Sequence, residues 1–360
     1  MFKQLFHIVD EIGRSIFGPD DDEDVVPSLE PIIDYGAKHI KHAENSCKRN
    51  RYGEAMAYLE IISPTNEHYD HALMMMADIA RVKGNNSRAA YYYSLVTKQQ
   101  YALQAQIGRQ LMQAEDLRIH ANTRTKKIES VKEFCQILVP DALPKWQGYR
   151  FYKLGLAYKA THDHQPALEC FGRVPPGHRL FIDAQFEMGH AYLTFKRTIQ
   201  TLNTALVCFQ QVPEKHRHYD QSLMEQANIH RALGQNMEAA ECYSHVPTKS
   251  RLKEKATIGQ KLMMAEYSRI KADTADKREQ AILEFSTIAI PPQYKNFIGF
   301  RDFKLAAAYL ANGQPELADE HFNKNPFPNE EGKQFSTVHR IARQKEIVQR
   351  QLQSHSSSIV

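Results

Sequence analysis

"HYDHALMMMADIARVKGNNSRAA", running from His68 to Ala90, and "HYDQSLMEQANIHRALGQNMEAA", running from His218 to Ala240, agree at twelve of twenty-three positions when aligned without a gap. The shared letters include the unusual opening His-Tyr-Asp as well as common alanines, so composition alone does not produce the agreement. A chain that repeats such a stretch is read first for duplication and only then for chemistry.

The echo continues downstream. "IGRQLMQAEDLRIHANT" (Ile107 to Thr123) matches "IGQKLMMAEYSRIKADT" (Ile258 to Thr274), and "KWQGYRFYKLGLAY" (Lys145 to Tyr158) answers "NFIGFRDFKLAAAY" (Asn296 to Tyr309), both at a shift of 151 rather than 150. One inserted residue accounts for the difference. The chain therefore divides into tandem copies, expected as blocks 32–180 and 181–328.

Each copy is itself periodic. A small residue, three positions, an aromatic or aliphatic residue and often a proline recur in "EAMAYLEIISP", "PALECFGRVPP", "EAAECYSHVPT" and their relatives. The small residues fall at Ala55, Ala89, Ser130, Ala167, Ala205, Ala239, Ala281 and Ala318, with spacings of 34, 41, 37, 38, 34, 42 and 37. Such a period is too long for one helix and suits two antiparallel helices with their turns. In the unit beginning at Gly148, Phe151, Leu154, Gly155 and Tyr158 share one helical face. A polar loop follows, then a second helix carrying Ala167, Phe171 and Val174, which Pro175 and Pro176 stop.

These residues resemble the tetratricopeptide repeat (TPR) family, whose first helix carries an aromatic, Leu-Gly or Leu-Ala, and Tyr, and whose second carries Ala then Phe or Tyr. The match runs through Leu73, Met76, Ala77, Gly84, Ala89 and Tyr93; Leu223, Ala227, Gly234, Ala239 and Tyr243; Phe151 to Phe171; and Leu305, Ala306, Tyr309, Gly313, Ala318 and Phe322. It covers roughly residues 35 to 325, and segments 101–139 and 252–290 depart from it by being longer. The resemblance implies an all-α solenoid of about eight antiparallel helical hairpins, built by duplicating a four-hairpin block.

It also implies a function: a non-enzymatic scaffold or adaptor that binds a protein or peptide along its concave face, which the first helix of each pair lines. The inward set is then Met74, Asp78 and Arg81, Tyr152 and Lys159, Met224, Asn228 and Arg231, and Phe303. Arg and Lys spaced among Tyr, Phe and Met suit an extended or helical peptide with acidic or carboxylate groups. The bland alternative is that these side chains brace neighbouring helices. An RNA-binding helical-repeat protein is the second binding class. A net charge of +4 with 24% charged residues lacks the strongly basic stripe that would favour it.

No phosphate-binding glycine loop or nucleophile elbow is present, so catalytic residues and cofactors are expected to be none. The thiols before the repeat aromatics, Cys170, Cys208 and Cys242, follow the repeat period and not a chelating spacing, and read as small buried core residues. "HDH" (His162 to His164) and "HRH" (His216 to His218) fall in turns and read as solvated histidines, so no metal is expected. Glu115 with Arg118, and Glu266 with Arg269, read as surface acid-base pairs on a helix.

Residues 1–18 form an expected amphipathic helix, with Phe2, Leu5, Phe6, Val9, Ile12 and Ile16 on one face. It is assigned to capping the solenoid, with peripheral membrane or partner contact through residues 2–17 as the alternative. An acidic and proline-containing linker spans 19–31, a C-terminal capping helix 329–353 and a polar tail 354–360, whose last three residues resemble a PDZ-domain ligand by chance. Five cysteines and a start without secretory features point to a cytoplasmic location.

Overall fold

The computed structural model describes residues 34–195 and 197–324. The expected N-terminal helix, linker, C-terminal capping helix and tail lie outside them. The described residues form sixteen helices and no strand. The chain divides into two compact units, residues 1–105 and 106–360. That cut falls inside one long helix and not at the expected block boundary of 180/181, which lies just before the helix Phe181–Phe195.

In the first unit, α1 (Tyr35–Lys48) pairs with α2 (Tyr52–Glu60), and α3 (Tyr69–Val82) with α4 (Asn86–Ser94). The helix α5 (Gln99–Ile119) begins in this unit and ends in the second. The second unit continues with α6 (Arg124–Gln136), α7 (Pro144–Thr161) and α8 (His164–Gly172), then α9 (Phe181–Phe195) and α10 (Ile199–Gln210). It closes with α11 (Tyr219–Ala232) and α12 (Asn236–Ser244), α13 (Lys253–Ile270) and α14 (Ala275–Ser286), and α15 (Lys295–Ala311) and α16 (Pro315–Lys324). From α7 onward each hairpin packs within itself and onto the next, the stacking expected of a TPR-like helical repeat. No described helix is long and apolar enough to cross a membrane.

The small-residue ladder is the contact line between paired helices. All seven of its alanines are at 0% exposure and Ser130 is at 1%. One turn on along the same helices, Leu59, Phe134, Phe171, Phe209, Tyr243 and Phe285 are fully covered. Each such side chain contributes on the order of 2 kcal/mol relative to exposure. Three of the aromatics have a glycine facing them, on their own hairpin's first helix for Phe171 and Phe209 and on the next hairpin's for Tyr243. A Cβ placed on Gly155 would meet a Phe171 ring carbon at 2.6 Å, and one on Gly189 or Gly259 would meet Phe209 or Tyr243 at 2.8 Å.

The loops are equally repetitive. Gly84 and Gly234 end α3 and α11 at φ +77° and +76°, a conformation that costs a side chain energy. His162 takes the same left-handed place after α7. Threonine N-caps open α6 and α14 through Thr123 and Thr274. Between hairpins, the carbonyls of Pro175, Pro213 and Pro247 accept from the N–H three residues on, at 2.9, 2.9 and 3.0 Å.

Candidate partner-binding face

All nine residues expected on the partner face lie on first helices: three on α3, two on α7, three on α11 and Phe303 on α15. Burial separates them. Met74, Tyr152 and Met224 are 8%, 6% and 4% exposed, so their side chains belong to the helix packing and offer a partner little surface. Asp78 is exposed, and Arg81, Lys159, Asn228, Arg231 and Phe303 are half-buried.

The equivalent positions of the two copies are wired differently. On α3, one Asp78 carboxylate oxygen accepts from Arg81 Nε at 3.2 Å, from Arg81 Nη2 at 2.8 Å and from the Tyr93 hydroxyl at 2.9 Å. Burial first, and the Asp78 charge next, push the Tyr93 phenol far up. On α11, Asn228 stands in place of the aspartate. Its Oδ1 accepts from the Tyr243 hydroxyl at 3.1 Å while its amide donates to Glu225 at 3.4 Å. Arg231 has no carboxylate partner among the described residues, and its buried Nε donates to nothing. Its guanidinium carbon instead lies 5.4 Å from the centre of the Phe300 ring.

A second cluster is built twice. Glu115 on α5 accepts from Arg118 at 2.7 and 2.9 Å and from Lys153 of α7 at 2.6 Å. One hundred and fifty-one residues on, Glu266 of α13 accepts from Arg269 at 2.6 and 2.9 Å and from Lys304 of α15 at 2.7 Å. Each lysine also sits against two rings: Lys153 at 5.4 and 5.7 Å from Tyr149 and Tyr152, Lys304 at 5.3 and 5.5 Å from Phe300 and Phe303. The expectation of surface acid-base pairs is corrected here, because the carboxylates are 2% and 3% exposed. Burial raises each carboxyl, but the arginine hydrogen bonds and lysine charge overcome it and hold both below the usual range.

Each cluster holds two cations against one carboxylate. Lys159 is different: it pairs with Glu187 of α9 and is neutralised locally. Sequence reading missed Arg118, Lys153, Arg269, Lys304, Tyr149 and Phe300 as a face. The available signal was the pair "GYRFYK" (148–153) and "GFRDFK" (299–304), aromatic and cationic at the same places.

The turn histidines also differ from expectation. His162 is exposed, but His216 and His218 are half-buried near Asp183, at 3.6 and 3.4 Å, and Arg217 donates to the same carboxylate at 2.8 Å. His218 lies flat on Phe186 at 4.2 Å between centroids, and His190 meets that ring edge-on at 4.6 Å. In the first unit, His68 likewise bonds Asp34 at 2.6 Å, which accounts for the recurring His of the duplicated opening. With Glu67 these two bring three potential ligand atoms within 4.8 Å, the one such group among the described residues, although Asp34 is already engaged as the cap of α1. Cys170 and Cys208 are buried and Cys242 half-buried, and burial pushes each thiol up to about 11.

No protein-family model matches this chain, and no curated protein matches it. Among solved structures, it is similar to a tetratricopeptide repeat protein from Parabacteroides merdae, at 14% identity over 83% of this chain and 96% of that one, with a TM-score of 0.31. It is also similar to a human IFIT1 dimer with PPP-AAAA, at 14% identity over 80% and 81% and a TM-score of 0.33. The P58(IPK) TPR domain aligns at 11% identity over 86% and 99%, with a TM-score of 0.30.

Proposed function

We propose that this chain is a non-enzymatic interaction scaffold, holding an extended or helical peptide with acidic side chains along the first helices of its hairpins. The observation that carries the reading is the cluster of one buried carboxylate, two cations and two aromatic rings, present on α5 and α7 and again on α13 and α15. Its paired cations favour anionic side chains, and its ring faces favour the apolar stems that carry them. Arg231, against the Phe300 ring, and Phe303, against Lys304, extend the cluster onto α11 and along α15. Asp78 and Arg81 belong to the first unit's own face.

The test is fluorescence polarisation with labelled oligoglutamate, oligolysine and single-stranded RNA. Preference for oligoglutamate is expected. Binding of RNA alone, with a steep loss on added salt, would replace the peptide reading with nucleic-acid recognition, because phosphate contacts release counterions.

A further inference from the structure

We infer that duplication left the two copies with unequal anion sites: Arg231 with Lys304 on the Phe300 ring receives an acidic group of the partner, whereas the matching Arg81 is closed by Asp78. This rests on the acidic-peptide reading above and narrows it to one position.

Three observations converge. Asp78 engages Arg81 through two nitrogens and so satisfies that guanidinium within its own helix. Asn228 at the matching place removes the carboxylate that clasps Arg81 in the first copy, and its amide is spent on Tyr243 and Glu225. Arg231 and Lys304 then both sit against Phe300, at 5.4 and 5.3 Å from its centre. Glu266 already serves Lys304 and Arg269 and so does not reach Arg231 as an ion-pair partner. A carboxylate reaching the partly exposed Arg231 guanidinium beside Lys304 would accept charge-assisted hydrogen bonds. Glu225, one turn before Asn228, takes the Asn228 amide and makes no ion pair with Arg231, whose guanidinium also meets the Tyr243 hydroxyl.

The experiment exchanges the two arrangements and titrates each full-length variant with labelled oligoglutamate. Asn228→Asp rebuilds the closed form and is expected to weaken binding about tenfold, as Arg231→Gln does, while thermal melting of Asn228→Asp stays level or rises. Asp78→Asn opens the first copy and is expected to strengthen binding or add a site. Wild-type affinity in both Asn228→Asp and Arg231→Gln would overturn the inference while leaving the acidic-peptide reading standing. A wild-type chain that ignores oligoglutamate would remove the reading itself.

Discussion

Glu115 and Glu266 carry the sharpest residue-level consequence. Each is a buried carboxylate whose charge is held by two cations, and removing one member of such a group strands the others. Glu266→Gln is therefore expected to lower stability at neutral pH by on the order of 3 kcal/mol, read by urea unfolding. The folded carboxyls lie below the ordinary 4.5, so their contribution is complete above about pH 4.5 and is lost as pH falls through the depressed range. The Gln variant should accordingly lose less stability than the wild type on acidification below that point. The histidines act at a higher pH. Burial first, then neighbouring Arg217 for His218, holds His190 and His218 below the ordinary 6.5, although Asp183 and Glu187 pull His218 the other way and Glu225 and Glu187 do so for His190. Their unfolded forms bind protons more readily, so stability is complete above about pH 6.5 and declines below it. His218→Phe, which keeps a flat ring on Phe186, should flatten the fall in melting temperature between about pH 7 and pH 5. An unchanged slope would dismiss the stacked imidazole as its source.

At the scale of the helical pair, the fit between a glycine and a fully buried aromatic sets how closely two helices approach. Gly155→Ala would drive a methyl into the fully covered Phe171 ring within its pair, and Gly259→Ala would do the same to Tyr243 across the joint to the preceding pair. Overpacking of this kind costs about 1–3 kcal/mol and is read directly from denaturant midpoints. Gly234→Ala fails for another reason: nothing crowds that position, but its φ of +76° disfavours any side chain, and a loss of about 1 kcal/mol is expected. Comparable losses at Gly53, which is uncrowded and has no positive φ, would contradict both arguments.

At the scale of the whole molecule, repetition makes the energetics local within the second unit. Ala167 on α8 and Ala239 on α12 belong to hairpins separated by the α9–α10 pair. Replacing either by Val should destabilise its own contact line, and the double variant should equal the sum of the singles to within about 0.5 kcal/mol. Combining Glu266→Gln with Lys304→Met should not sum, because those two share one network. A large coupling between Ala167 and Ala239 would show that the hairpins do not behave as nearest-neighbour units.

The hairpins were legible because a packing rule repeats: Ala167 before Phe171 and Pro175 after it, echoed by Ala205, Phe209 and Pro213 and by Ala239, Tyr243 and Pro247, recur at a period that suits paired helices. Periodicity reports local geometry, and helices are local. The face was legible only in part. Sequence position put Arg81 and Arg231 in the same place, yet one is clasped by Asp78 and the other lies against Phe300, some seventy residues away in the chain. Likewise, the i, i+3 spacing of Glu115 and Arg118 is the same whether the pair faces water or the interior. Burial of the carboxylate came from Lys153, thirty-eight residues on, arriving from the next first helix. Which helix covers which side chain depends on how the pairs stack, and stacking joins residues that no local spacing connects.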